Sequence, residues 1–231
     1  GGPGGGRPAE LTGDGDSVLL PDGPRAADIP EIDAGLCQPQ DTTAQRALRL
    51  APPQTGDCVV DLCAGAGTKA TQAAEMMRDC GTVIATDIHA EKLVAVRASA
   101  ERLGLHIIHP TPIERLGDAL ARVGRPPDLI LVDAPCLNTG VLARRPEARY
   151  RASAKALRAV VELQRGILQH ARDLAGPRTR IVYATCSLEQ EENETQVAAF
   201  CDAAPEWKVD RQVFTLPDAT RDGGFAAVLV R

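Results

Sequence analysis

Cys58-Val59-Val60-Asp61-Leu62-Cys63, followed by Ala64-Gly65-Ala66-Gly67-Thr68-Lys69, decides how this chain folds. The first half is a short run rich in apolar and β-branched residues, which reads as a strand buried on both faces. The second half is a tight, glycine-containing turn that opens a helix near residues 68–78. Downstream the same alternation returns. Residues 82–86 read as a strand ending at Asp87, 90–103 as a helix, 105–109 as a third strand and 112–123 as a helix. Residues 128–132 form a fourth expected strand, 133–140 a polar loop and 153–174 the longest helix. A fifth strand at 180–184, a helix near 189–201 and two strand candidates at 208–214 and 225–230 complete the pattern. Upstream, 42–50 reads as a short helix stopped by Ala51-Pro52-Pro53. Short strands alternating with longer helices specify an α/β protein with a largely parallel, doubly wound sheet. In such sheets ligands sit beyond the carboxyl ends of the strands, where the strand order reverses.

Composition narrows the class. The chain has 231 residues and a formal net charge of −5, which excludes a protein coated with positive charge, so contact with nucleic acid would need a local patch. Neither a membrane span nor a signal-type leader is expected from these residues. Residues 1–10, GGPGGGRPAE, read as a lead unable to pack. Residues 1–41 carry eight acids against Arg7 and Arg25, a local charge of −6, and fit irregular chain or small strands around Val18-Leu19-Leu20. The chain therefore divides into a Gly/Pro/Asp-rich lead, 1–41, and a main domain, 42–231. The cysteines number seven, an odd count without a CxxC pair, so no metal site is expected. The thiols read as reduced and the compartment as cytoplasmic. Cys58, Cys63, Cys80 and Cys201 read as structural, Cys37 is undecided, and His89 and His106 read as surface or loop residues.

The residues after each strand carry the chemistry. Gly65 and Gly67 let the backbone approach a ligand, and the helix beginning near Thr68 offers unpaired N–H groups. The pattern is neither a full GxGxxG, because Ala70 holds the last position, nor a phosphate-binding GK[ST] loop. Asp87, about twenty residues on, can accept hydrogen bonds from a ribose diol. A nucleoside cofactor pocket and a merely tight βα turn are the two readings of this stretch. Beyond the fourth strand stands Asp133-Ala134-Pro135-Cys136-Leu137-Asn138-Thr139-Gly140, and beyond the fifth Ala184-Thr185-Cys186-Ser187. If these strands are neighbours, both thiols face one cleft. A carboxylate beside Cys136 would raise its pKa, so Asp133 is expected to serve another partner.

Residues 144–180 hold ten basic residues against Glu147, Glu162 and Asp173, a local +7. Arg144, Arg145, Arg149, Arg151 and Lys155, with Tyr150 among them, form the densest part and suit phosphate contacts, with a solvated helix face as the alternative. Segment 187–206 is the reverse, six acids without Lys or Arg, and reads as an outer helix face with Glu189, Glu191 and Glu192 in its first turn.

Together these stretches resemble the RNA cytosine-C5 methyltransferases of the Nop2/Sun (RsmB-like) family. The resemblance runs from Asp41 to Arg231 and rests on 61–69, 133–140, Tyr183-Ala184-Thr185-Cys186-Ser187 and Glu191-Glu192-Asn193-Glu194. Arg145-Pro146-Glu147, Leu163-Gln164, Gln40-Asp41, Gln45, Thr215-Leu216-Pro217 and Asp222-Gly223 also match. The chain departs from the family at Gly65-Ala66-Gly67-Thr68, where Ala-Pro-Gly-Gly is usual, and at Leu137-Asn138, where Ser-Gly is usual.

The resemblance implies a Rossmann-like class I S-adenosylmethionine-dependent fold, a seven-stranded, mostly parallel sheet with helices on both faces and the last strand antiparallel. It implies Cys186 as nucleophile, Cys136 as the residue that releases product, Asp133 near cytosine N3, and Lys69 orienting groups in the site. Cys63, Ala64, Gly65, Ala66, Gly67, Lys69, Asp87, Ile88, Lys92, Asp133 and Pro135 are the implied cofactor-binding residues. Arg144, Arg145, Arg149, Tyr150, Arg151 and Lys155 are the expected RNA contacts. Ribosomal RNA is the expected substrate, ahead of transfer RNA. The lead would be the remnant of an N-terminal RNA-binding region, and the chain would depend on that region or on a partner subunit. Three alternatives remain: exchanged roles for the two cysteines, a noncatalytic RNA-binding or assembly protein, and a methyltransferase of small molecules or proteins.

Overall fold

The computed structural model describes residues 10–11, 17–19 and 28–231, which fall into two compact units, Gly1–Pro39 and Gln40–Arg231. In the first, two-residue strands Glu10–Leu11 and Val18–Leu19 pair antiparallel, and a short helix spans Pro30–Asp33. Leu20 and residues 1–9 of the expected unpackable lead lie outside the described residues. The second unit begins two residues ahead of the boundary drawn from composition. Gln40 donates to Gln72, and Asp41 accepts from the backbone of Thr43 as the N-cap of the first helix.

The second unit carries one seven-stranded sheet. In chain order its strands are β1 (Cys58–Asp61), β2 (Thr82–Ala85), β3 (Ile108–Pro110), β4 (Leu129–Asp133), β5 (Arg180–Thr185), β6 (Lys208–Thr215) and β7 (Gly224–Val230). Their spatial order is β3-β2-β1-β4-β5-β7-β6. The pairs from β3 to β5 are parallel, and β7 runs antiparallel to both neighbours. The order reverses between β1 and β4, so the ends of those strands bound the natural ligand crevice.

Helices cover both faces. They are α1 (Thr42–Leu50), α2 (Thr68–Met76), α3 (Ala90–Arg102), α4 (Leu116–Val123), α5 (Ala148–Arg151), α6 (Ala154–Leu174) and α7 (Glu194–Ala203). The period-two side-chain alternation sorts the core into two layers. Val59, Leu129, Leu131 and Val182 pack with Ala47, Leu48, Ala70, Ala73 and Val96 on the α1, α2 and α3 face. Val60, Ile130, Val132 and Ile181 pack with Leu116, Leu168, Val197 and Phe200 on the α4, α6 and α7 face. Burial on both sides explains why these strands read as continuous apolar runs.

Four expectations need correction. The third strand starts at Ile108 rather than 105, because the Asp79 carboxylate takes the backbone N–H groups of His106 and Ile107, which are then not available for strand pairing. The helix expected near 189–201 is broken. A 3₁₀ turn at Gln190–Glu192 is followed at Asn193 by a non-helical residue whose side chain accepts from Thr185 Oγ1 and donates to the Ser187 carbonyl. The acidic segment is consequently not a uniform outer face, since Glu192 is fully buried. Cys80 is exposed rather than packed in the core. His89 and His106 are exposed, and His106 bonds Asp79. Among the described residues no helix is long and apolar enough to cross a membrane.

Candidate active site

The glycine turn after β1 is fixed by backbone bonds. Ala64 N donates to Thr86 O and Gly67 N to Ala64 O, both at 2.8 Å. Gly67 has φ of 91°, and a Cβ there would lie 3.1 Å from Val96, so only glycine suits both the conformation and the close helix. Asp87, two residues beyond β2, is almost fully buried. Its carboxylate accepts from Gly65 N at 3.1 Å and His89 N at 2.9 Å and pairs with Lys92 at 3.3 Å. Cys63 to Gly67, Asp87 and Lys92 therefore share one loop cluster, with Ile88 exposed beside it. Pro135 stands apart, beyond β4, where its carbonyl accepts from Gln164.

Asp61, the last residue of β1, lies under that cluster at 1% exposure. One carboxylate oxygen accepts from Cys63 N, and the other has no hydrogen-bond partner. Burial, then the neighbouring Asp133 charge, pushes its pKa up to about 7, against the pull of Lys69. A partly neutral acid with an unfilled oxygen beneath an N–H-rich loop can accept from a polar ligand group.

Strands β4 and β5 are neighbours, with Asp133 opposite Ala184. Their following loops bring Cys136 Sγ and Cys186 Sγ to 3.2 Å. Cys186 lines an open cleft of about 370 Å³ with Lys69, Asp133, Thr185, Asp41 and Phe225. Cys136 lines a second, of about 480 Å³, with Asn138, Arg145 and Arg151. The touching sulfurs thus stand in the wall between two clefts. Asp133 does have another partner: Lys69 Nζ lies 2.6 Å from its Oδ2. Burial alone would lower the Lys69 pKa, but Asp133, Asp61 and Cys186 together outweigh it and the ammonium is held charged.

The two thiols differ electrostatically. The hydrogen bond from Cys136 lowers the Cys186 pKa. Burial and Asp133 oppose that effect, whereas Lys69 and Arg145 reinforce it. The same contact, burial and the Glu192 charge raise Cys136. Cys186 is the thiol that shares its cleft with the Lys69–Asp133 pair. As a thiol it also donates to Asn138 Oδ1 at 3.1 Å, and Asn138 Nδ2 donates to Cys136 O at 2.7 Å. Asn138 has φ of 61°, a left-handed position that asparagine tolerates better than most residues.

The basic stretch divides. Arg144, Arg145, Arg149, Tyr150, Arg151 and Lys155 are all exposed, Tyr150 at 83%. Arg145 and Arg151 border the cleft at Cys136. Arg144 is already engaged, pairing with Asp41 at 2.9 Å and Asp222 at 3.4 Å. The 21-residue α6 spans about 30 Å. It carries the later arginines away from this end, and Arg180, at the start of β5, pairs with Asp57. Sequence reasoning left Asp61, Asn138 and Glu192 without roles. The signal for Asp61 was an acid closing a strand buried on both faces, whereas Glu192 could be recognised only once its loop was folded.

A seven-stranded sheet in this order, with one antiparallel strand and a glycine turn at the switch point, defines the Rossmann-like fold of class I methyltransferases. Comparison with known proteins narrows the class. The family model described as 16S rRNA methyltransferase RsmB/F matches residues 47–225, and the chain belongs to this family. It is 34% identical over 205 residues to the ribosomal RNA small subunit methyltransferase B of Shewanella oneidensis, covering 86% of this chain and 46% of that one. It is also 34% identical to the protein of the same name from Vibrio cholerae, covering 87% and 48%. Across the curated relatives compared, the chain spans between 38% and 52% of their length. Among solved structures, the crystal structure of PH0851 superposes with a TM-score of 0.81 at 27% identity, covering 90% of this chain and 50% of that one. NSun6 from Pyrococcus horikoshii with SFG gives 0.76 at 26% identity, covering 92% and 58%.

Proposed function

We propose that this chain transfers a methyl group from S-adenosylmethionine to C5 of a cytosine in RNA, with small-subunit ribosomal RNA the first substrate to test. The observation that carries the reading is the 3.2 Å approach of Cys136 and Cys186 beside the Lys69–Asp133 pair. A methyltransferase acting on an already nucleophilic atom needs no thiol. Cytosine C5 is a poor nucleophile and does need one.

The cofactor fits the residues present. Asp87 can accept from a ribose hydroxyl, exposed Ile88 offers an apolar surface, and Asp61, whose other oxygen holds Cys63 N, keeps one buried oxygen without a partner. S-adenosylmethionine, when bound, supplies the electrophilic methyl group. The protein's part is then as follows. Cys186 adds as thiolate to C6 and makes the ring an enamine whose C5 is reactive. Lys69 and Asp133 balance charge at the edge of the ring bearing N3. After methylation, the C5 proton leaves toward Cys136, directly or through water, and the Cys186 thiolate is expelled as aromaticity returns. Cys186 shares its cleft with Lys69 and Asp133 and Cys136 does not, which favours Cys186 as the adding sulfur over the exchanged assignment. The target base must be unpaired or turned out of its helix. Arg145, Arg149, Tyr150, Arg151 and Lys155 would hold the flanking backbone. Both thiols must stay reduced, which suits the cytoplasm.

The test is bisulfite sequencing of RNA from cells lacking the gene, complemented with wild type or Cys186→Ala. One or more cytosines should be protected only with wild type, and equal patterns in both would contradict the reading.

A further inference from the structure

Glu192 is a carboxylate at 0% exposure, in a segment whose other acids are solvated or half-buried. Its hydrogen-bond partners are all neutral donors. Oε1 accepts from Ser187 Oγ at 2.5 Å, Oε2 from Gln164 Nε2 at 2.8 Å, and both oxygens share the Leu137 N–H at 3.2 and 3.3 Å. Leu137 directly follows Cys136, and Ser187 directly follows Cys186. Gln164 also donates to the carbonyl of Pro135, which directly precedes Cys136, at 2.9 Å. One carboxylate therefore grips the neighbour of each reactive cysteine and, through Gln164, the other side of Cys136.

The surroundings tighten the grip. Tyr183, inside β5, donates to the Glu192 carbonyl at 2.7 Å and fixes the backbone from which the side chain reaches. Ser187 Oγ also contacts Thr139 Oγ1 at 3.1 Å, and Thr139 Oγ1 accepts from Leu188 N at 2.9 Å. The loop backbones meet between these points. Gly140 N donates to Cys186 O at 2.9 Å, and a Cβ on Gly140 would lie 2.5 Å from Gly223 O. Burying a carboxylate without a cation is unfavourable unless its hydrogen bonds are filled. The chain nevertheless retains one where the two loops converge. An apolar residue of similar size would fill the space and leave Leu137 N, Ser187 Oγ and Gln164 Nε2 without this acceptor.

We propose that Glu192 is a positioning residue for the reaction, a buried staple that sets the separation and orientation of the Cys136 and Cys186 sulfurs. It touches neither sulfur and acts through Leu137, Ser187 and Gln164. The inference rests on the reading that both thiols serve one methyl transfer, but its physical content, the coupling of the thiols, is measurable without RNA.

The test uses the full chain and Glu192→Gln, which keeps the shape but turns an N–H₂ toward groups that are themselves donors. Thiol coupling is read by equilibrating the protein in glutathione buffers of known ratio. The dithiol and one glutathione disulfide exchange to the Cys136–Cys186 disulfide and two glutathiones, and mass spectrometry after alkylation gives the oxidised fraction. Close, ordered thiols have a high effective concentration. Glu192→Gln should lower this equilibrium constant about tenfold or more, while S-adenosylmethionine affinity stays within about twofold because the cofactor loops are held elsewhere. In the methylation assay kcat should fall about tenfold or more with little change in KM for RNA. Unchanged thiol coupling in a folded, cofactor-binding Glu192→Gln protein would overturn the proposal even if activity fell. If that variant does not fold, Ser187→Ala removes one donor and keeps the carboxylate. It should lower the constant about threefold, and no change would equally overturn the proposal. Failure of the RNA reading shows differently, as no methylation by any variant while the coupling loss remains.

Discussion

The two halves of the site are built by different means. On the cofactor side, beyond β1 and β2, backbone geometry does most of the holding: a glycine turn, a helix start and Asp87 collecting N–H groups. On the thiol side, beyond β4 and β5, side chains far apart in sequence converge, with Glu192, Ser187, Thr139, Asn138 and Gln164 joining two loops. The first construction depends mostly on local backbone conformation, with the Asp87 side chain collecting its N–H groups. The second depends on reciprocal donors and acceptors, so one altered group leaves others unsatisfied.

Substitutions can separate the halves. Asp87→Ala should weaken S-adenosylmethionine binding about 10- to 100-fold by calorimetry, the value of a charge-assisted hydrogen bond, and leave Cys136–Cys186 coupling as in wild type. A parallel loss of thiol coupling would mean that the halves are one cooperative network.

Asp61 lies between them, and its burial sets a pH dependence. Its pKa rises from an ordinary 3.8 to about 7 on folding. Between those values the folded state keeps a proton that the unfolded chain has lost. Stability from this group therefore falls as pH rises through that window and levels off above it. Asp61→Asn removes the ionisation and puts a donor where an oxygen now lacks a partner. At pH 8 it should stabilise the protein by on the order of 2 kcal/mol in urea unfolding, with the gain shrinking as pH falls toward 4. It should also weaken cofactor binding. A destabilised variant, or a gain independent of pH, would refute this account of Asp61.

The smallest effect is expected at Asn138. Its Oδ1 accepts from the Cys186 thiol and so favours the protonated sulfur. Glycine tolerates the same left-handed backbone. Asn138→Gly should raise the rate of Cys186 alkylation near neutral pH about two- to fivefold, because the thiol loses an acceptor that favours its protonated form. A slower reaction would show that Asn138 activates the sulfur instead.

The same division explains what the sequence revealed. The turn at 64–67, Asp87 and the alternating strands and helices were legible because each signal is contained in a short window. Strand adjacency correctly brings the two thiols together, but the single cleft expected for them is two, Cys186 lining one and Cys136 the other. Glu192 was misread as part of a solvated face, since six acids in one segment look alike until Asn193 breaks the helix and turns one of them inward. The third strand was drawn early because its pairing register depends on Asp79, more than twenty residues away. The basic stretch was legible as charge but not as shape, since the length of α6 is what separates its two ends.

The central claim is that Cys186 attacks the base while Cys136 releases it. Incubating the protein with S-adenosylmethionine and a substrate RNA carrying 5-fluorocytosine, then sequencing the RNA-linked peptide by mass spectrometry, tests it directly. The linkage should map to Cys186, vanish in Cys186→Ala, and accumulate in Cys136→Ala even with ordinary cytosine. A linkage at Cys136, or an adduct that persists in Cys186→Ala, would contradict the account.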